Sequence, residues 1–141
     1  MRLIVLDTNV IVSARLNPDG APAKVVMDHA LAGLVRVATC PCVVQEYREV
    51  VQRPKFARFK FPPPWLELLI GQGLQLPDPR PWPDTLPDPA DAPFLALAHA
   101  AGAWLVTGNL KHFPAQARHG VTVVSPAEYL DTLEQRSKYP R

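Results

Sequence analysis

The chain has 141 residues, about one domain, and is long enough to bury a core without staples. A composition of 48% hydrophobic and 20% charged residues excludes a disordered chain. The net charge of +2 permits a nucleic-acid partner where basic residues cluster but does not require one.

The opening run, Arg2-Leu-Ile-Val-Leu-Asp7, reads as a buried strand over 2–6 that ends on a carboxylate. Its apolar stretch is too short for a signal-peptide core, and no run approaches the roughly 18 apolar residues of a membrane span. A helix is expected from Ala21-Pro22, because Pro suits a first helical position, with a stop at Gly33. Leu34 to Thr39 is a second short strand. Pro41 opens a helix running to about Arg53, where Pro54 interrupts it. Cys40 and Cys42 flank that helix start. One intervening residue is a poor disulfide spacing, and there is no second Cys pair and no His at a zinc spacing nearby. A zinc site is therefore not expected, and the pair reads as small buried thiols suited to a reducing cytoplasm.

Residues 54–74 look helical in two pieces, broken by Pro62-Pro63-Pro64. Seven prolines in the seventeen residues 77–93 make that segment an extended surface connection, packed by Trp82, inside one domain spanning 1–141. Phe94 to Ala101 is an Ala-rich helix, Ala103 to Thr107 a strand, Gly108 a turn and Val121 to Val124 another strand. Ser125 as N-cap, Pro126 at N1 and Glu128 at N3 start the last helix, which ends in a basic tail, 136–141. Strands alternating with helices predict a three-layer α/β/α fold around a mainly parallel sheet. Function is expected at the strand C-termini.

Four segments bring candidate groups to that edge. Asp7 follows the first strand. Glu46 lies on the border of an apolar stripe, Val43, Val44, Tyr47, Val50 and Val51, at about 100° per residue, whereas Glu49 points further out. A border carboxylate is either an ordinary flanking charge or one aimed across a cleft. Asp88-Pro-Ala-Asp91 allows two helix starts, with Asp88 or Asp91 as the cap. Asn109 follows the strand end at Thr107-Gly108. Carboxylates gathered from separate segments repel one another unless they share protons or bind cations. Hard oxygen ligands suit Mg²⁺ or Mn²⁺. Such an ion can activate water for attack on a phosphodiester. Phosphatases of the haloacid-dehalogenase type also begin with a strand ending on Asp, but they need a second Asp two residues on. Asn9 occupies that place here.

Leu6-Asp-Thr-Asn-Val-Ile-Val-Ser-Ala14, Gln45-Glu-Tyr-Arg-Glu-Val-Val51, Asp88-Pro-Ala-Asp-Ala-Pro-Phe-Leu-Ala-Leu-Ala98 and Val106-Thr-Gly-Asn-Leu-Lys-His-Phe-Pro114 resemble, in order, the motifs of PIN-domain proteins. The nearest branch comprises toxins of toxin–antitoxin systems related to VapC. The resemblance spans essentially the whole chain. It implies a Mg²⁺- or Mn²⁺-dependent endoribonuclease acting on single-stranded RNA, with a cognate antitoxin, a homo-oligomeric state (a dimer favoured) and a cytoplasmic location. It matches Asp7, Glu46 and Asp91 to the three family acids that hold metal. Asn109 falls where many relatives carry a fourth Asp. Asn9 and Thr107 match supporting polar positions, and Asp88 adjoins them. His112 replaces an Asp of other branches; it either contacts RNA phosphate or moves a proton, or simply packs beside Phe113. With Asn109 neutral, weaker or single-metal binding is expected. A catalytically silent PIN fold that binds RNA or protein is the other reading.

Arg53-Pro-Lys55-Phe-Ala-Arg58-Phe-Lys60-Phe61 interleaves basic and aromatic residues. The phenylalanines are expected to face inward. Arg53, Lys55, Arg58, Lys60 and also Lys111 are candidates for RNA or partner contact.

Overall fold

The computed structural model describes residues 2–138, with side chains as far as residue 133. The side chains of the expected basic tail, 136–141, lie outside the described residues. Strand β1 (Leu3–Leu6) is where the apolar run places it. Ile4, Val5 and Leu6 are fully buried, as a strand covered on both faces requires. β1 pairs in parallel with β2 (Arg36–Thr39) on one side and β4 (Trp104–Val106) on the other. β3 (Leu74–Gln75) and β5 (Val123–Val124) close the two edges, giving the order β3-β2-β1-β4-β5, all parallel. The chain builds outward from β1 through β2 to β3, then returns to lay β4 against the other side of β1. The strand order therefore reverses between β1 and β4. A crevice at the carboxyl ends of these two strands is where such sheets bind ligands.

Two elements differ from the sequence expectation. Helix α1 (Thr8–Leu16) begins directly after β1, where the sequence pattern assigns none. Its β-branched residues Val10, Ile11 and Val12 disfavour a helix locally. Burying Val10, Ile11 and Ala14 at helical spacing in the hydrophobic core outweighs that local preference. Asp7 occupies the N-cap position in extended geometry, and its carbonyl accepts the Val10 N–H at 2.9 Å. The other difference is β3, which lies at the end of a stretch expected to be helical. Gly73 explains why the chain can come so near β2. A Cβ there would stand 2.2 Å from the Val37 carbonyl oxygen.

Between β1 and β2, α2 (Ala21–Ala23) continues as a π-helical segment, Lys24–Ala30. Helix α3 (Pro41–Val51) starts on Pro41 as expected and ends two residues before Arg53. Residues Pro54–Phe59 form a 3₁₀ helix, followed by α4 (Leu66–Gln72). Phe59 does not face inward: it is 43% exposed, because six residues of 3₁₀ helix form no continuous apolar face. Phe56 stacks instead on Phe61, with ring centroids 4.8 Å apart. Trp82 in the proline-rich connection is half-buried and donates its indole N–H to the Ala117 carbonyl at 2.9 Å. Helix α5 (Ala92–Ala101) is closed by Gly102 in the left-handed region, at φ 63°. Helix α6 (Pro126–Lys138) opens with a reciprocal cap. Ser125 Oγ accepts from Glu128 N at 3.1 Å, and Glu128 Oε1 accepts from Ser125 N at 3.0 Å.

Candidate metal centre

The carboxyl ends of β1 and β4 are tied together by backbone and side chains. Asp7 N donates to the Val106 carbonyl at 2.9 Å, which continues the β1–β4 pairing one residue past the end of β1. Thr107 Oγ1, fully buried, donates to Asp7 Oδ2 at 2.9 Å and accepts from Asn109 N at 3.0 Å. Asn9 joins from the first turn of α1. Its Nδ2 donates to Asp7 Oδ2 at 3.2 Å, and its Oδ1 accepts from Gly108 N at 2.9 Å. Gly108 has little room for a side chain, since a Cβ would sit 3.2 Å from Asn9 Oδ1. The turn after β4 is thus shaped by the side chain that follows β1.

Asp7 is only 4% exposed. Burial pushes its carboxyl up to about 6; the Thr107 hydrogen bond opposes that rise, and the charge of Asp91 adds to it. Glu46 projects half-buried from α3, while Glu49 is exposed. The Glu46 carboxylate accepts the Thr8 hydroxyl. Burial raises the Glu46 carboxyl; the Thr8 bond and the Arg53 charge lower it, and the Asp7 and Asp88 charges raise it. Tyr47, next on the same helix, is fully buried and donates its hydroxyl to the Leu6 carbonyl, which locks α3 against the end of β1.

The two possible helix starts in Asp88-Pro-Ala-Asp91 are distinguished by hydrogen bonding. Asp88 Oδ1 accepts from Ala90 N at 3.0 Å and caps a 3₁₀ turn, Pro89–Asp91. Asp91 makes no side-chain cap. Its Oδ2 instead lies 2.8 Å from His112 Nδ1. On its other side His112 Nε2 stands 2.9 Å from Asn109 Nδ2. An amide N–H donating to Nε2 leaves the ring proton on Nδ1, donated to Asp91. Burial raises the Asp91 carboxyl, His112 opposes that rise, and the charges of Asp88 and Glu46 add to it.

Charge couples these acids: each of Asp7, Glu46 and Asp91 is raised by the charge of at least one other acid, and Asp88 contributes to the rise of Glu46 and Asp91. The ligand atoms of Asp88, Asp91 and His112 lie within 4.8 Å of one another. Asp7 and Glu46 stand outside that tightest group. A donor set of carboxylate oxygens with mutual repulsion fits a hard divalent cation, whose charge would relieve the repulsion.

Of the expected contact residues, Arg53 acts on Glu46 through its charge. Lys55 and Arg58 are exposed and lie over their own neighbours, Phe56 at 5.0 Å and Phe59 at 4.8 Å. Lys60 follows in the left-handed region, its carbonyl accepting two N–H groups of Arg15 at 3.1 and 3.2 Å. Lys111 is exposed beside His112. Sequence reasoning did not single out Thr8, Tyr47 and Gly108. Thr8 and Gly108 adjoin named residues, so adjacency was an available signal; the Tyr47–Leu6 bond has none short of the fold.

The molecule is an all-parallel α/β domain with acidic side chains at its switch point. Residues 3–111 match the PIN domain family, and the chain belongs to that family. No curated protein matches it in sequence. Its fold is similar to solved structures of VapBC and FitAcB proteins. It is 15% identical to a chain of VapBC2 from Rickettsia felis bound to a promoter DNA fragment, with a TM-score of 0.62, covering 87% of this chain and 98% of that one. FitAcB from Neisseria gonorrhoeae is 22% identical, with a TM-score of 0.56 and coverage of 88% and 98%. DNA-bound VapBC from Salmonella typhimurium is 16% identical, with a TM-score of 0.57 and coverage of 89% and 99%. Likeness at these identities carries the fold.

Proposed function

We propose that this protein is a Mg²⁺- or Mn²⁺-dependent endoribonuclease that cleaves single-stranded RNA, and that it is the toxin of a toxin–antitoxin pair. The observation that carries the reading is that Asp7, Glu46 and Asp91, from three separate elements, are each raised by burial and by the charge of a neighbouring acid. A hard divalent cation there supplies positive charge that acidifies water and stabilises the oxygen leaving phosphorus. Asp7 is oriented for such a role by Thr107 and Asn9, Glu46 by Thr8, and Asp91 by His112, itself held by Asn109. Arg53, Lys55, Arg58, Lys60 and Lys111 supply charge for the RNA backbone. The VapBC and FitAcB structures of the same fold support a cognate antitoxin, and self-association as a dimer is part of the same proposal. No helix among the described residues is long and apolar enough to cross a membrane. Both cysteines are free, which suits a reducing cytoplasm.

The test is cleavage of a labelled single-stranded RNA. Cleavage should need Mg²⁺ or Mn²⁺ and vanish with EDTA or in Asp7→Asn. Activity that persists in Asp7→Asn under EDTA would defeat the metal mechanism. A second reading, a silent PIN fold that binds RNA or protein, draws on the uncharged amide Asn109, which stands beside His112 and Asp91. RNA binding without cleavage at saturating metal would favour it.

A further inference from the structure

The cysteine pair of the β2–α3 junction acquires a third potential ligand from a distant part of the chain. Cys40, 1% exposed, is the residue before α3, and half-buried Cys42 lies in its first turn. Their Sγ atoms are 3.5 Å apart, and both thiols are free. Asp78, from the proline-rich connection, is exposed, and its Oδ1 accepts the Cys42 N–H at 2.9 Å. One ligand atom from each of the three lies within 4.8 Å of the others.

We propose that Cys40, Cys42 and Asp78 form a site for a thiophilic divalent cation of the Zn²⁺ or Cd²⁺ type, separate from the acidic centre. Two thiolates bound to one tetrahedral zinc at about 2.3 Å stand roughly 3.7 Å apart, close to the spacing already present. A carboxylate makes a third ligand, and its exposure leaves a fourth position for water or an outside donor. Thiolates select soft and borderline cations over Mg²⁺, so the two centres differ in chemistry as well as in place. The pair is poorly suited to the alternative of a reactive nucleophile. Burial raises both thiols, and Cys42, which also bonds to Asp78, is pushed up to about 12, so neither is a free thiolate until a cation displaces its proton. Sequence spacing hid the site because Asp78 is 36 residues from Cys42 and is delivered only by the path of the connection. A bound cation would clamp that connection to the start of α3, one turn from Glu46. The inference stands whether or not the acidic centre cleaves RNA.

The test is titration of the reduced full chain with Cd²⁺, read by thiolate-to-metal charge-transfer absorbance, and with Zn²⁺ against a chromophoric chelator. One equivalent should bind, unaffected by excess Mg²⁺. Cys42→Ser should abolish the charge-transfer band. Asp78→Asn keeps an acceptor for the Cys42 N–H but removes the charged ligand, and should weaken Zn²⁺ binding at least about tenfold. Three results would overturn the site: no charge-transfer band in the wild type, a band that survives Cys42→Ser, or equal Zn²⁺ affinity in Asp78→Asn. Asp78→Asn changes only a surface side chain, so its result does not depend on the core tolerating a new residue.

Discussion

His112 Nδ1 lies 2.8 Å from Asp91 Oδ2, so the imidazole holds one of the candidate ligands in position. The same ring is held at Nε2 by Asn109, 2.9 Å away. Two residues that look like losses of charge in the sequence thus act in series on Asp91.

Replacing His112 by Ala should free Asp91 to rotate and leave it repelled by Asp88 and Glu46. Mn²⁺ affinity, measured by calorimetry, should fall about 10–100-fold, as when other outer partners of metal ligands are removed. Unchanged affinity would show that the pair is only packing beside Phe113.

Asn109→Asp places a carboxylate against His112 Nε2. If the neutral amide is what limits the wild type, the same variant should bind Mg²⁺ or Mn²⁺ more tightly. Equal affinity would count against that explanation.

Asp7 carries a stability cost that can be measured without metal. Its carboxyl rises from an ordinary 3.8 to about 6 because it is buried, so the folded protein holds this proton more tightly than the unfolded chain does. The contribution is fully present below about pH 4 and is lost as pH rises through about 6, amounting to about 3 kcal/mol by neutral pH. Asp7→Asn should therefore be more stable than the wild type at pH 7 without metal, and this advantage should disappear near pH 4. Denaturant unfolding at the two pH values checks it. Added Mg²⁺ or Mn²⁺ should raise the Tm of the wild type and not of the variant.

Thr107→Val removes the hydroxyl that donates to Asp7 at 2.9 Å and opposes the effect of burial. Asp7 should titrate at still higher pH, and the acid limb of the cleavage profile should shift upward with it. Leaving the carboxylate short of a donor should also cost about 1–3 kcal/mol at neutral pH. A profile that does not move would mean that Asp7 does not set the acid limb.

Changing Lys55, Arg58 and Lys60 together to Gln should weaken RNA binding without changing Mn²⁺ affinity. The slope of log affinity against log salt should become shallower by about 0.7 for each RNA phosphate that is no longer neutralised. An unaltered slope would assign this exposed 3₁₀ segment to protein contact instead.

Much of the architecture was legible because it depends on local chemistry. An apolar run ending on Asp7, Pro41 at a helix start, the Ser125–Glu128 box and the wheel position of Glu46 are all properties of neighbouring residues. Helix α1 was not legible, because Val10, Ile11 and Val12 suit a strand equally well. Strand β3 was not legible, because two residues carry no periodicity and its pairing depends on the close approach at Gly73.

By itself the sequence determined, apart from α1 and β3, which segments would alternate as strand and helix, and which acids would stand at strand ends and helix starts. Local preference and apolar period suffice for that. Only the tertiary structure decided that Asp88 caps while Asp91 turns to His112, that Thr107 and Asn9 share Asp7, and that Asp78 reaches the cysteines. Those pairings join residues up to 100 positions apart. They exist only because the reversal of strand order between β1 and β4, and the path of the connection, bring the segments to the same edge.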